Sequence, residues 1–270
     1  MPEVSVIIPV FDAEATLLRA VESVVAQGYS PQQVEIVLAP DDLSDYGWVK
    51  SLWPSFKILP SRYWRTGPGK TRNRAISRAS GKYLAFLDAD DAWAENYLGE
   101  MLPLARRHGA AFAPTRVIAQ DGHTVVTMAS GQRRFNLSDF GAWPGSFHPL
   151  LHRRLSPGFR DGAGQDVFHA MDVLGKLGGI APMAPNTFYG LHLRQGSVTT
   201  DPAFSRRVDR QYQRMMRVIR AGETGFSMGI RSRAIAALQA RRNWNRRWCS
   251  SAGHPEGFYG YIASKIKYNS

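Results

Sequence analysis

Apolar and polar positions alternate in a recognisable rhythm along residues 3–91. "EVSVIIPV" (3–10) is a β-branched run of the kind buried on both faces of a sheet. In "DAEATLLRAVESVVAQG" (12–28), Leu17, Leu18, Val21, Val24 and Val25 fall on one helical face, with Asp12 as the expected cap and Gly28 as the stop. "VEIVLA" (34–39) predicts a second buried strand that ends in the acid-rich loop "PDDLSDYG" (40–47). "GKTRNRAISRASG" (69–81) predicts a basic helix, and "KYLAFLDADD" (82–91) a third strand. Strand, helix, strand, helix, strand implies a parallel α/β sheet with right-handed crossovers. Beyond residue 94 the rhythm changes. "ENYLGEMLPLARRHG" (95–109) predicts a helix with Pro103 inside it, and "AAFAPTRVIAQDGHTVVTM" (110–128) predicts strands with a turn at Asp121–Gly122. "SFHPLLHRR" (146–154) predicts a short strand, "GQDVFHAMDVLGKLGG" (164–179) a helix and "TFYGLHL" (187–193) a strand.

This order places chemistry. Phe11, Asp41 and Asp88 each follow a predicted strand, and open parallel sheets bind ligands at that edge. Three segments distant in sequence therefore converge on one crevice. Alternation along an extended "LDADD" would put Asp88 and Asp90 on the same side, where two carboxylates can share a hard divalent cation. An isolated D-x-D is equally a solvated turn; its position at the end of a buried strand favours the cation. "GPGKT" lacks the spacing of a phosphate-binding P-loop. Lys70, Arg72 and Arg74 suit a wet helix face, or, for Arg72, contact with an anion near the acids.

Composition adds a charge asymmetry. The 270 residues carry a formal charge of +12, with acids concentrated in the first half and arginine beyond residue 205. Such a balance attracts anionic membrane surfaces, phosphorylated ligands or nucleic acid, although no nucleic-acid-binding module is recognisable and none is expected as a partner. Cys249 is the single cysteine, which excludes an internal disulfide and a cysteine-built zinc site and suits a cytoplasmic location. No apolar run reaches the ~18 residues of a membrane span, and "MPEVSVIIPVFDAE" has no basic region of a secretory signal.

Taken together, "VSVIIPVFDAEATLLRAVESVVAQ", "VEIVLAPDDLSD", "TRN" and "LDADD" resemble the inverting family 2 glycosyltransferases of GT-A fold, closely over residues 3–95 and loosely over 145–200. The resemblance implies a GT-A domain over 1–200, with 1–95 binding a nucleotide sugar and 96–200 facing the acceptor, followed by a basic helical region over 201–270. It implies transfer of a sugar, UDP-linked, to a saccharide or lipid-linked saccharide in surface polysaccharide synthesis, with Mn or Mg as cofactor. Pro9 and Phe11 would line the base and sugar pocket, Asp41 would read the base, Arg72 and Asp88 would contact the nucleotide, and Asp90 would be the metal ligand. "PDDL" departs from the family's D-D-G-S loop, so Asp42 is an alternative base reader. Asp166, in "GAGQD", matches the general base of the family, with Asp161 in reserve; from the residues alone Asp166 reads first as a helix-opening acid favoured by the dipole. "LHLRQGS" is similar to the family's Y-R-x-R-x-x-S segment, which gives His192 and Arg194 roles at the diphosphate. His148 and His152 match no metal or catalytic spacing. The competing readings are an inactive nucleotide-sugar-binding protein of the same fold and, from charge alone, a nucleic-acid binder. Arg231, Arg233, Arg241, Arg242, Arg246 and Arg247, with Trp244 and Trp248, either dock on an anionic membrane or pack on the body.

Overall fold

The computed structural model describes residues 1–53, 55–194, 202–251 and 253–266, together with Pro202 as the first residue of a helix. The first half runs β1 (Val4–Val10), α1 (Leu17–Val25), β2 (Val34–Pro40), β3 (Phe56–Ile58), α2 (Pro68–Arg78), β4 (Tyr83–Phe86), β5 (Ala92–Trp93) and α3 (Tyr97–His108). The second runs β6 (Ala110–Ala111), β7 (Thr115–Ile118), β8 (Thr124–Met128), β9 (Arg134–Asn136), α4 (Leu137–Ala142), β10 (Leu150–His152), α5 (Gln165–Lys176), β11 (Ile180–Pro182), β12 (Tyr189–His192), α6 (Pro202–Ala221), α7 (Met228–Cys249) and α8 (Gly257–Ile266).

The main sheet has the order β3-β2-β1-β4-β10-β6. Its first four strands are parallel, and β10 joins antiparallel to β4 and β6. Alternation along β1 explains its apolar run. Val4, Val6 and Ile8 pack with α1 and α3 on one face, while Ile7 packs with α2 and the end of α5 on the other. A second sheet, β5-β12-β7-β8, stands beside the first.

Three expectations are corrected here. Asp12 does not cap α1; it adopts φ +50°, its N–H donates to Asp42 Oδ2 at 2.7 Å, and the helix begins four residues later after Thr16. Leu18 is exposed, and Ala20 takes its place on the buried face of α1. The third strand stops at Phe86, so strand alternation does not present the acids. Asp88–Asp91 instead form a turn closed by Asp91 N–H to Asp88 O at 3.1 Å.

Helices α6–α8 share one apolar cluster with β7–β9, α4 and α5: Tyr212, Met215 and Ile219 meet Phe135, Phe140, Phe168 and Leu238 there. At the α4–α7 crossing a Cβ on Gly141 would lie 3.0 Å from Ala240 Cβ and 3.2 Å from Ala237 Cα, so small residues set the approach. Arg241, Arg242 and Trp248 are buried in this packing and are removed from the surface set the sequence suggested for membrane docking.

Glu35, on β2, ties β1, β3 and the loop after α2 together. Its carboxylate accepts from Ser5 Oγ (2.5 Å), Ser80 N (2.5 Å), Ser80 Oγ (2.8 Å) and Gly81 N (3.1 Å), and pairs with Lys57 Nζ at 2.6 Å. Burial raises its pKa, but Lys57 and the two serines prevail and hold it at about 2. Its stabilising contribution is therefore complete above pH ~4.5 and is lost as the pH falls toward 2. Glu35→Ala should cost about 3 kcal/mol at neutral pH, read from urea melts, and should flatten the stability curve over that acid window.

Candidate active site

A cleft of about 1130 Å³ opens at the carboxyl ends of β1, β2 and β4. Pro9, Phe11, Asp41, Arg72, Asp88, Asp90, Asp166, His192 and Arg194 all line it. Asp42 and Asp161 do not. Asp42 spends its oxygens on its own loop, accepting from Asp12 N–H, Tyr46 Oη (2.8 Å) and Ser44 N–H (3.2 Å). Asp161 is exposed beside Lys70 Nζ at 3.4 Å.

One end of the cleft is aromatic and cationic. The Phe11 and Trp64 rings lie 5.9 Å apart, both partly exposed, and the Arg65 guanidinium sits 5.5 and 5.4 Å from their centroids. Arg65 has φ +50° and donates its N–H to Asp41 O at 2.9 Å. The Asp41 carboxylate accepts from Thr66 Oγ1 (2.5 Å) and Gly67 N–H (2.8 Å), so it is buried but oriented at the wall. Gly69, at the start of α2, leaves room for the Arg160 carbonyl, which a Cβ would approach to 2.4 Å.

At the floor, Arg72 is 2% exposed and pairs through Nη2 with Asp88 Oδ1. Its Nε and Nη1 are buried without partners. Burial works against its charge, and the carboxylates of Asp88 and Asp166 outweigh it. Asp88 is held low: burial opposes ionisation, but Arg72 and His148 prevail. Asp90 is pushed up by burial and then by Asp88, against Arg194, whose Nε lies 3.1 Å from Asp90 Oδ2. Asp91 faces inward, is raised further by burial and by Asp90 and Asp88, and accepts from Tyr189 Oη (2.7 Å) and His192 N–H (2.9 Å). The Tyr189 hydroxyl in turn accepts from Asp88 N–H at 3.0 Å. Among the described residues no three His, Cys, Asp or Glu side chains group to hold a metal.

Across the cleft, Asp166 is the second residue of α5, where the helix dipole favours its charge. Its Oδ2 accepts from Ser146 Oγ. Helices α6–α8 close this side with Phe204, Val208, Tyr212, Arg241 and Tyr259.

The sequence model of Glycosyl transferase family 2 matches residues 5–164, more than half of the chain. The chain belongs to glycosyl transferase family 2. Among curated family 2 relatives it is 35% identical over 112 residues to the E. coli UDP-Glc:alpha-D-GlcNAc-diphosphoundecaprenol beta-1,3-glucosyltransferase WfgD, covering 40% of this chain and 43% of the relative. It is 33% identical over 129 residues to the B. subtilis putative teichuronic acid biosynthesis glycosyltransferase TuaG, covering 45% and 50%. The match thus spans half or less of these relatives' length. The fold matches S. aureus TarS 1–349, with a TM-score of 0.65 and 15% identity over 88% of this chain and 71% of that one.

Against this family 2 background, the sequence reading missed Trp64, Arg65, Ser146 and Tyr189. "YWRTG" ahead of α2 carried an aromatic–basic signal for the first pair. Nothing local marked the other two, because their partners are 20 or more residues away.

His192 is half-buried, and burial and then Arg19 depress its imidazole to about 4, so it meets the cleft neutral at physiological pH. Protonating it below pH ~6.5 opposes the fold. An NMR titration should place its midpoint near 4, and Arg19→Ala should raise that midpoint; a midpoint left in place by Arg19→Ala would remove Arg19 as a cause.

Proposed function

We propose that this chain transfers a sugar from a UDP-linked donor, with inversion, to a hydroxyl of a lipid-linked saccharide at the cytoplasmic face of a membrane. The observation that carries this reading is one cleft faced by the Asp88–Asp90 turn, by the Phe11–Arg65 platform and, across from both, by the Asp166 carboxylate. The relatives' names supply the substrate class: WfgD is a UDP-glucose transferase to a diphosphoundecaprenol-linked sugar. S. aureus TarS 1–349, which shares the fold at a TM-score of 0.59, has been crystallised in complex with UDP-GlcNAc.

Phe11 and the Arg65 guanidinium offer faces for a nucleobase, and Asp41 offers an acceptor for its N–H. The unpartnered Nε and Nη1 of Arg72 offer donors to a phosphate oxygen. Neutral His192 contributes a hydrogen bond rather than charge, and Arg194 contributes the cation beside it. Asp90 fits a divalent cation, Mn or Mg: burial and Asp88 work against its charge more than Arg194, 3.1 Å from Oδ2, relieves it, and a cation would offset both. With Asp88, Asp90 and Asp91 as the acids of this turn that line the cleft, diphosphate and water oxygens would complete the shell. A cation there would neutralise charge developing on the leaving diphosphate. Asp166 accepts the proton of the attacking hydroxyl. Ser146 holds its Oδ2, and Oδ1 has no protein partner among the described residues.

Calorimetry and turnover test these roles. Asp90→Ala should abolish the Mn-dependent part of UDP affinity; unchanged affinity removes Asp90 from the site. Asp166→Asn should keep UDP affinity and lose about 10²-fold in turnover, and wild-type turnover would remove Asp166 as the base.

Contact with an anionic bilayer is proposed through α6 rather than α7. Arg206, Arg210, Arg214, Arg217 and Arg220 are exposed at helical spacing, and Arg210 reaches the rim of the cleft. Cosedimentation with phosphatidylglycerol vesicles, but not phosphatidylcholine vesicles, should weaken with salt. It should also weaken by about 1 kcal/mol per arginine replaced by serine. Equal recovery with both lipids would end the idea.

A further inference from the structure

The Arg241 guanidinium is 3% exposed and lies deep between helices, yet among the described residues no carboxylate lies within salt-bridge distance of it. Its donors go elsewhere. Nη1 donates to Phe140 O (3.0 Å) and Trp143 O (3.1 Å), Nη2 to Gly145 O (2.8 Å) and Nε to Tyr212 Oη (2.9 Å). A buried arginine that grips three carbonyls of one stretch must fix the path of that stretch. The planar fork fits several acceptors at once, as an ammonium cannot.

The stretch it grips runs from the last turn of α4 into the irregular chain, residues 143–149, that leads to β10. Ser146 is the next residue after the last gripped carbonyl. Its own carbonyl accepts from Thr115 Oγ1 at 2.7 Å, and its hydroxyl donates to Asp166 Oδ2. Gly145 lies close against the end of the Met128 side chain, where a Cβ would approach Cε to 2.2 Å, so glycine lets the turn pack on β8. The chain of contact therefore runs from α7 through Gly145 and Ser146 to the carboxylate that opens α5.

We infer that Arg241 and Ser146 are positioning residues for Asp166: Arg241 sets the 140–145 backbone, and Ser146 transmits that position by fixing one carboxylate oxygen. The inference rests on Asp166 as the base and adds to it the device that aims the base. It also gives the basic C-terminal region a part in the chemistry.

The test has two readouts. The first needs no substrate. The carboxyl-carbon NMR line of Asp166, identified by its loss in Asp166→Asn, should move in Ser146→Ala and in Arg241→Lys, while UDP affinity with Mn stays within about two-fold. A line that Arg241→Lys leaves in place overturns the proposal. The second is a double-mutant cycle on UDP release from UDP-glucose, with a GlcNAc-diphospholipid as acceptor. Ser146→Ala and Arg241→Lys should each lower kcat about 10-fold with KM for the donor unchanged. Each should add less than about two-fold in the Asp166→Asn background, because there is no base left to aim. Effects that multiply in that background overturn positioning and leave the base assignment standing; wild-type turnover in Asp166→Asn overturns both. Should Arg241→Lys lose its cooperative melt, Arg241→Gln, whose amide can still donate to one of the three carbonyls but cannot hold all of them, carries both readouts with the same expected outcomes.

Discussion

The carboxylate of Asp91 joins the two sheets of this molecule at the point where its chemistry is assembled. One oxygen takes the Tyr189 hydroxyl and the other the His192 N–H, and the Tyr189 hydroxyl takes the Asp88 N–H. Burying an acid beside two others is unfavourable, and its raised pKa records that. The donors it gathers offset the cost by satisfying groups that would otherwise be stranded. The geometry follows from it. Asp88, Asp90 and Asp91 all line the cleft, and both oxygens of Asp91 are held there by groups of β12. β12 delivers His192 and Arg194 because its end is pinned to the turn after β4. His148 leans on the Tyr189 ring at 4.9 Å, which closes the floor.

Much of the chain from β1 to β4 was legible in the sequence because its signals are local. β1, β2, α1 and α2 announce themselves by period, and the acids follow strands whose direction the crossover rule fixes. What was not legible depends on partners far along the chain. β3 has three residues and pairs only by register with β2. The inward turn of Asp91 depends on a tyrosine 98 positions later. In "DADD" nothing distinguishes the acid whose oxygens β12 holds from the two that it leaves.

The arginines beyond residue 205 show a subtler failure. Counted as charge, Arg241 and Arg242 belong with Arg246 and Arg247 on a wet face. Counted by period, Ile230, Ala234, Ala237, Leu238, Arg241, Asn245 and Trp248 form one buried stripe, and Arg241 sits inside it. The periodic reading was available and would have flagged a buried cation in need of acceptors. Arg242 has its own answer in Asp209, with nitrogens 2.9 and 3.2 Å from the two oxygens. Residues of one type, a few positions apart, thus serve packing, ion pairing and solvation.

The grip of Arg241 on residues 140–145 also has a consequence for how the chain matures. On a ribosome the elements from β1 to α3 are complete before residue 110 emerges, and β10 joins the sheet between β4 and β6 some forty residues later. The loop carrying Ser146 then waits for a side chain almost a hundred residues downstream before its carbonyls are satisfied. The elements from β1 to α3 can therefore take shape early in synthesis, whereas the Asp166 carboxylate opposite is set in place only when the last third of the polypeptide docks. Assembly order alone keeps a half-made chain from completing its own cleft.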